Sequence, residues 1–305
     1  MKKVTLIFAV VALIISTNLF AHNKSSVRTD SLKNAEAEAQ YQLALKYVTG
    51  NGVTKNIDSA LYWLNNSAEN NNAEAQFALG LLYNGDGNLL DINMEKSFYW
   101  FKKSAENNLP KGQYNLAMLY YQGLGVVADK KQTVYWMKKA AENGHTEAMF
   151  KLGQMYYSGD AVKQNAQEAL YWWLKSADKG AVDAQYNVAS LYYNGDFGIQ
   201  KDYEKSSYWY KKSITKVSSD LARGLGMIFF SGEETKRNLD EAFFWIKYSA
   251  ENNNAEAQYI LGLMYVSGEG VKADKKQAAY WMRKSYKNGK TEAKEALNKY
   301  RLQNY

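Results

Sequence analysis

Tryptophan recurs along this sequence at a nearly constant interval. Seven of the eight tryptophans follow one another at 36 or 37 residues. They are Trp63, Trp100, Trp136, Trp172, Trp209, Trp245 and Trp281. A period of this length is typical of stacked supersecondary units, each of which buries its apolar face against its neighbours. The sequence is therefore expected to fold as an array of similar units rather than around a single core.

The third copy shows what each unit contains. Residues 112–126, GQYNLAMLYYQGLGV, and residues 132–144, QTVYWMKKAAENG, both place small and apolar residues at helical spacing. Gly123 and Gly125 lie between the two segments and are expected to end the first helix, and Gly144 follows the second. Each unit is therefore predicted to be a helical hairpin, whose two helices we call helix A and helix B.

The residues around the periodic tryptophans predict how the hairpins pack. The residues three before and four after each tryptophan are all Ala, Ser or Thr. Small side chains let two helix backbones approach, and the indole then fills the space beside the hairpin partner. The seven tryptophans are accordingly predicted to be structural. Tyrosine precedes each one except Trp245, which follows Phe244, and this ring is expected to pack against the next unit with its hydroxyl in water.

This layout resembles the Sel1-like repeat family, which is related to the tetratricopeptide repeats. The resemblance rests on AEAQFALGLLYNGDG (73–87), AQYILGLMYVSGEGV (257–271) and a recurring A/S-x-x-W-x-x-K-S/A-A-E-x-G/N phrase, and it covers residues 36–289. It implies an all-α fold: a right-handed α/α superhelix, or solenoid, of seven hairpins whose concave face is lined by helix A. It also implies a non-catalytic adaptor that binds a protein or peptide partner.

The expected boundaries follow the repeat. Seven repeats are placed at 37–72, 73–108, 109–144, 145–180, 181–216, 217–254 and 255–289. Residues 22–35 are interpreted as an N-terminal lead, and residues 290–305 as a capping helix that shields the apolar face of the last hairpin.

The first 21 residues have the features of a secretory signal peptide. Lys2 and Lys3 precede an apolar run at 4–15, and a small residue, Ala21, is the preferred cleavage site. The run is short for a bilayer span, although an uncleaved signal anchor is the rival interpretation. We therefore expect a periplasmic or secreted protein without a membrane span after cleavage.

Composition excludes several kinds of chemistry. The chain has no cysteine, and its two histidines, His22 and His145, are far apart in sequence. No HExxH, GxSxG or phosphate-loop motif is present, so no catalytic residue, metal ligand or cofactor is predicted. The net charge of +7 becomes +5 once Lys2 and Lys3 are removed. This mildly basic balance permits weak contact with an anionic envelope surface, and no nucleic-acid partner is expected.

Partner-binding residues are expected on helix A. Two aromatic columns and their polar neighbours recur there, interrupted by an arginine in the sixth copy. The candidates are Tyr114, Tyr121, Gln122, Phe150, Gln154, Tyr157, Tyr186, Tyr193, Asn194, Arg223 and Phe230. They would supply rigid aromatic anchors with hydrogen-bonding groups at the edge, or they would complete the packing between units.

Two alternative functions stay open at this point. The first alternative is a weak hydrolase that acts on cell-wall-related substrates. Some members of the family are labelled β-lactamases, and S-x-x-K occurs twice here, at Ser176 and at Ser213. Both serines occupy the small position after a periodic tryptophan, and no KTG or SDN motif follows either, which favours packing. The second alternative is a structural envelope protein that binds through the lysines after each tryptophan.

Overall fold

The computed structural model describes residues 31–86 and 89–305, and it is helical throughout. Helix A of the successive hairpins comprises residues 31–49 (α1), Ala73–Tyr83 (α3), Pro110–Gln122 (α5), Thr146–Ser158 (α7), Val182–Asn194 (α9), Ser219–Ser231 (α11) and Ala255–Ser267 (α13). Helix B comprises Ile57–Glu69 (α2), Met94–Glu106 (α4), Lys130–Glu142 (α6), Ala166–Asp178 (α8), Tyr203–Lys212 (α10), Leu239–Glu251 (α12) and Lys275–Lys287 (α14). A final helix, α15, spans Glu292–Lys299. The predicted all-α fold of repeated hairpins is confirmed.

The chain forms two compact units, Met1–Gln164 and Asn165–Tyr305, with the boundary between α7 and α8. The predicted signal peptide, residues 1–21, lies outside the described residues. Residues 31–35 were expected in the lead but already belong to α1. The segment contains neither glycine nor proline, so nothing in it stops the helix from beginning before the first repeat. Within the described ranges, no helix is both long and apolar enough to cross a bilayer.

Each helix has a local signal at one end. Every helix B begins after an Asn or Asp whose side chain accepts a hydrogen bond from a backbone N–H of the first turn. Six of the A helices end at a glycine in the left-handed conformation, such as Gly123 (φ 71°). Gly125 (φ 68°) has a different role, because any Cβ there would overlap the carbonyl oxygen of Met94 in α4. The second glycine therefore lets the loop approach the preceding hairpin.

The small residues beside each tryptophan help to hold the two helices of one hairpin together. Trp172, Trp209, Trp245 and Trp281 are buried, while Trp63, Trp100 and Trp136 are half-buried. Four residues after four of these tryptophans, a serine hydroxyl donates to a backbone carbonyl of helix A in the same hairpin at 2.6–2.9 Å. These serines are Ser67, Ser104, Ser249 and Ser285. The small side chain therefore both permits the close approach and adds a hydrogen bond between the two helices.

The aromatic residue before each tryptophan is more exposed than expected. Its side chain is 39–62% exposed, and its ring meets the adjacent indole edge to face at 4.9–5.2 Å. In four helices, the lysine four residues later lies over this ring, as Lys175 does over Tyr171 at 5.0 Å. Their own tryptophan and, in four copies, their own lysine hold these rings at the surface, and Phe244 also contacts Lys211 of the preceding hairpin at 4.4 Å.

A row of side-chain amides links successive hairpins. A glutamine in helix A donates to the end of the preceding helix B and accepts from the asparagine that ends its own helix B. Gln113, for example, donates to the Ala105 carbonyl at 3.3 Å and accepts from Asn143 at 2.9 Å. The same pair of contacts occurs at Gln76 and at Gln258. These buried amides pair the last backbone carbonyls of helix B.

Helix α15 packs on the last hairpin. Ala293, Ala296 and Leu302 are buried in one cluster with residues of α14, including Ala279 and Met282. Arg283 also donates to backbone carbonyls of the last residues, among them Gln303 at 2.9 Å. In the second unit, α15 and the residues after it therefore cover a side of α14 that would otherwise be exposed.

Candidate protein-binding site

The first aromatic column of helix A lies at packing contacts. Tyr114, Phe150 and Tyr186 are all half-buried. The Tyr114 ring stacks on His145 at 4.8 Å, and the Tyr186 ring meets Tyr210 at 5.3 Å. Part of the surface of these rings is therefore buried against neighbouring residues.

The second column differs from residue to residue. Tyr121 is its most exposed member, with 46% of the side chain accessible. Tyr157, Tyr193 and Phe230 are half-buried. Tyr193 packs edge to face on Tyr203 at 5.6 Å, and Arg237 covers the Phe230 ring at 5.3 Å. Tyr121 is therefore the ring of this column best placed to meet a partner.

The remaining candidates are polar and scattered. Gln122 and Asn194 are exposed at the ends of α5 and α9, and Asn194 donates to Asp196 at 3.2 Å. Arg223 is half-buried in α11. Gln154 is half-buried in α7, where it lines the same cavity as Tyr121. Of the predicted site residues, the structure brings these two together.

The cavity that they share lies in the first unit, between α5, α6 and α7. Its volume is about 210 Å³. Its apolar lining is supplied by Met118, Met137 and Met155. Its polar lining includes Tyr121, Lys151, Gln154 and Asp160. Methionine side chains are flexible and polarisable, so such a cavity adapts to inserted apolar groups of different shapes.

Asp160 organises the polar side of the cavity. Its carboxylate accepts a hydrogen bond from the Tyr121 hydroxyl at 2.7 Å and another from Lys130 Nζ at 3.2 Å. These two donors lower the pKa of Asp160, and the hydrogen bond to Asp160 raises the pKa of Tyr121. At neutral pH the aspartate is therefore a charged acceptor that fixes the tyrosine ring at the rim.

Several cavity residues were not predicted. Asp160, Lys151 and the methionines belong to loops and helix positions outside the aromatic columns. The available signal was Asp160 itself, which stands in the SGDAV loop where the seventh copy reads SGEGV. The pairing with Tyr121 spans 39 residues, so a repeat unit read alone does not show it.

The candidate catalytic serines are not accessible. Ser176 and Ser213 are completely buried, and Ser213 Oγ donates to the Trp209 carbonyl within its own helix at 3.1 Å. A substrate carbonyl cannot reach either hydroxyl in this structure. Among the described residues, no cluster of three or more His, Asp or Glu is arranged to hold a metal ion.

Comparison with known proteins agrees with this architecture. The Sel1 repeat matches residues 37–72, 73–109, 110–145, 146–180, 182–216, 219–254 and 255–290. The chain belongs to the Sel1 repeat family. Curated protein sequences give no match. Repeats of this family typically mediate protein–protein interactions and are generally non-catalytic.

Two solved structures show how far the similarity extends. A protective antigen of uropathogenic Escherichia coli with a Sel1-like repeat fold is 30% identical, with a TM-score of 0.60, over 88% of this chain and 56% of the antigen. A Sel1 repeat protein from Oxalobacter formigenes is also 30% identical, with a TM-score of 0.50, over 86% of this chain and 75% of its own. The chain thus spans little more than half of the E. coli antigen.

Proposed function

We propose that this Sel1 repeat protein is a non-catalytic scaffold of the bacterial envelope that captures a protein or peptide partner on helix A. The single observation that carries the proposal is the methionine-lined cavity of the first unit, with Tyr121 and Gln154 at its polar side. The predicted signal peptide supports a periplasmic or secreted location.

The cavity fits one anchoring side chain of an extended segment. Its volume of about 210 Å³ is large enough for a leucine, methionine or phenylalanine side chain but small for a whole ligand. The amide of Gln154 can pair with a backbone group of the segment, and the exposed part of the Tyr121 ring can cover the anchor. An apolar anchor surrounded by hydrogen-bonding groups is the usual arrangement of a binding hot spot.

The remaining candidates would extend this site along helix A. Gln122 follows Tyr121 directly and is exposed, so it can meet the next residues of a bound segment. Phe150 and Tyr157 flank Gln154 on α7 at helical spacing. In the second unit, Tyr186, Tyr193, Asn194, Arg223 and Phe230 occupy the equivalent helix A positions and would contact further parts of a long partner.

A displayed peptide library tests the proposal. Selection on the wild-type chain should yield peptides with a shared apolar residue, and Tyr121→Ala or Gln154→Ala should lower their affinity about tenfold or more, as hot-spot truncations do. Tyr62→Ala is the matched control, since Tyr62 is an exposed tyrosine of the same unit on helix B. The proposal fails if selected peptides bind both cavity variants as tightly as they bind the wild type.

A further inference from the structure

A second cavity, in the other compact unit, has a different chemistry. It lies between α12 and α14 and has a volume of about 550 Å³. Two aromatic residues, Tyr265 and Trp281, form part of its lining. Its other side chains are mostly polar or charged, among them Lys247, Lys272 and Gln277. This cavity is on the helix B side and is not part of the site proposed above.

The cavity offers both hydrogen-bond donors and acceptors. Lys247, Lys272 and Gln277 donate, while the carboxylates of Glu251 and Asp274 accept. A simple anion such as phosphate needs donors alone. A ligand rich in hydroxyl groups uses both kinds, because each hydroxyl donates once and accepts as well.

The lining itself carries two lysines and two carboxylates, so its formal charges balance. Glu251 is paired with Lys247 at 3.8 Å, and Asp274 accepts from the backbone N–H groups of Lys276 and Gln277 at 2.8 and 3.1 Å. Lys275 and Lys276, which are exposed in the first turn of α14 between Asp274 and Gln277, add positive charge beside the lining. This charge favours an anionic ligand.

Two exposed rings lie on the same helices as cavity residues. Phe244 lies one helical turn before Lys247 on α12, and Tyr280 lies one turn after Gln277 on α14. Their side chains are 39% and 53% exposed, but Lys211 of α10 lies over the Phe244 ring at 4.4 Å, so Tyr280 is the better platform for a ligand. The Tyr280 ring is held edge to face by Trp281 at 5.0 Å, so it stays at the surface in one orientation. Flat rings beside polar groups match a sugar, which has one apolar C–H face and a rim of hydroxyls.

We infer that this cavity, with Tyr280 at its edge, binds acidic sugar units of an anionic polysaccharide. Stacking on Tyr280 would orient the sugar, Gln277 and the carboxylates would pair with its hydroxyls, and Lys272 would meet its carboxylate. Single-stranded DNA fits less well, because its backbone has no hydroxyl groups to donate to Glu251 and Asp274. A lipid surface fits less well, because the lining is mostly polar.

Titration calorimetry with tetragalacturonate, a chain of four acidic sugars, tests the inference on the whole protein. We expect binding that weakens as salt increases. We also expect that Lys272→Gln, Gln277→Ala and Tyr280→Gln each lower the affinity about three- to tenfold, as expected for one lost polar or stacking contact. A neutral maltotetraose and a tetraglutamate peptide should both bind much more weakly, because each lacks either the charge or the sugar ring.

Matched variants separate binding from folding. Tyr135 in the first unit has the same geometry as Tyr280: its ring meets Trp136 at 5.0 Å and 82°, and it is 50% exposed. Tyr135→Gln should therefore cost as much stability as Tyr280→Gln but leave tetragalacturonate binding unchanged. Lys236→Gln is the equivalent control for Lys272→Gln, since both lysines are exposed in the second unit.

Four results would overturn the inference. They are no binding of tetragalacturonate, equal binding of tetraglutamate, equal losses with Tyr135→Gln and Tyr280→Gln, and preferential binding of oligothymidylate or of phosphatidylglycerol vesicles. If Tyr280→Gln fails to fold, Lys272→Gln and Gln277→Ala still decide the outcome. A failure here leaves the peptide site of the first unit untouched, because Tyr121 and Gln154 belong to a different cavity.

Discussion

Asn143 donates a hydrogen bond to Oε1 of Gln113 across 2.9 Å, and the two residues lie thirty positions apart. Gln113 Nε2 in turn donates to the Ala105 carbonyl of the preceding hairpin. One glutamine therefore ties the ends of two B helices together. Gln185 occupies the same position in α9 and donates to Ala177 at 3.2 Å, but its Oε1 has no hydrogen-bond partner in the described chain.

This contrast predicts unequal effects of one substitution. Gln113→Met should lower the free energy of unfolding by about 1–3 kcal/mol, because the Asn143 amide would lose its acceptor and the Ala105 carbonyl would lose one donor while keeping the Asn108 N–H. Gln185→Met should stay within about 1 kcal/mol of the wild type, because it also removes an unpaired buried acceptor. Methionine is a suitable replacement since Met149 fills this position in the fourth copy. Urea unfolding of both variants tests the prediction, which equal losses would contradict.

Substitution of the two glycines in the α5–α6 loop should also lower stability by unequal amounts. Gly123→Ala should cost about 1–2 kcal/mol, because alanine must adopt the left-handed conformation there. Gly125→Ala should cost about 3 kcal/mol or more, because its Cβ would also overlap the Met94 carbonyl and force the loop away from α4. Thermal melting of both variants provides the comparison. If Gly123→Ala proves the more damaging, the close approach to α4 is not what position 125 requires.

His145 should make the first unit less stable in acid. Its Nδ1 accepts a hydrogen bond from the Ala148 N–H at 3.2 Å and caps α7, and protonation would abolish this contact. Burial and the nearby Lys111 lower the pKa of His145 in the folded state. The stability that depends on the neutral ring is therefore present above the ordinary histidine pKa and is lost as the pH falls through the lower, folded-state value.

The matching variant is His145→Asn, since Asn72 and Asn254 cap the equivalent helices in other copies. Melting temperatures at pH 7.5 and pH 5 should differ less for this variant than for the wild type. An unchanged difference would show that other groups control the acid sensitivity.

Tyr121 and Tyr193 hold equivalent helix A positions but should respond differently to truncation. Tyr193→Ala should lower the melting temperature, because its ring packs on Tyr203 at 5.6 Å within the second unit. Tyr121→Ala should leave it nearly unchanged, because this ring is largely exposed and loses chiefly the hydrogen bond to Asp160. Circular dichroism melts compare the two. A large loss with Tyr121→Ala would place that ring in the core and remove it from the binding site.

The tryptophan period was sufficient to predict the helices and the repeat. The small residues beside each indole also indicated close packing, and Ser67 shows why serine suits this position, since it pairs with the Ala37 carbonyl. The contacts of Tyr99 were not predicted, because sequence spacing gives the direction of a side chain but not what covers it. Its own Trp100 and Lys103 hold it at the surface.

The cavities could not be predicted from the sequence for a similar reason. Tyr121 and Gln154 were selected as members of a column, but their shared cavity depends on Met137 from α6 and on Asp160 from a loop. Such contacts join different hairpins at separations that a single repeat does not contain. The sequence period therefore predicts the repeated helices of this protein. Residues that differ between the copies, such as Asp160, indicate the candidate site.

The fifth hairpin has a feature that should affect where the protein unfolds locally. Helix α10 ends after ten residues in a short 3₁₀ turn, Ile214–Lys216, where five of the other copies have an asparagine at the end of helix B. Within the described residues, the Gln185 side-chain oxygen and the Ser206 hydroxyl of this hairpin have no hydrogen-bond partner. Amide hydrogens there should exchange with solvent before those of the neighbouring helices, and a protease should find its first cut there. Unfolding of the second unit would then start from its interior rather than from a frayed end.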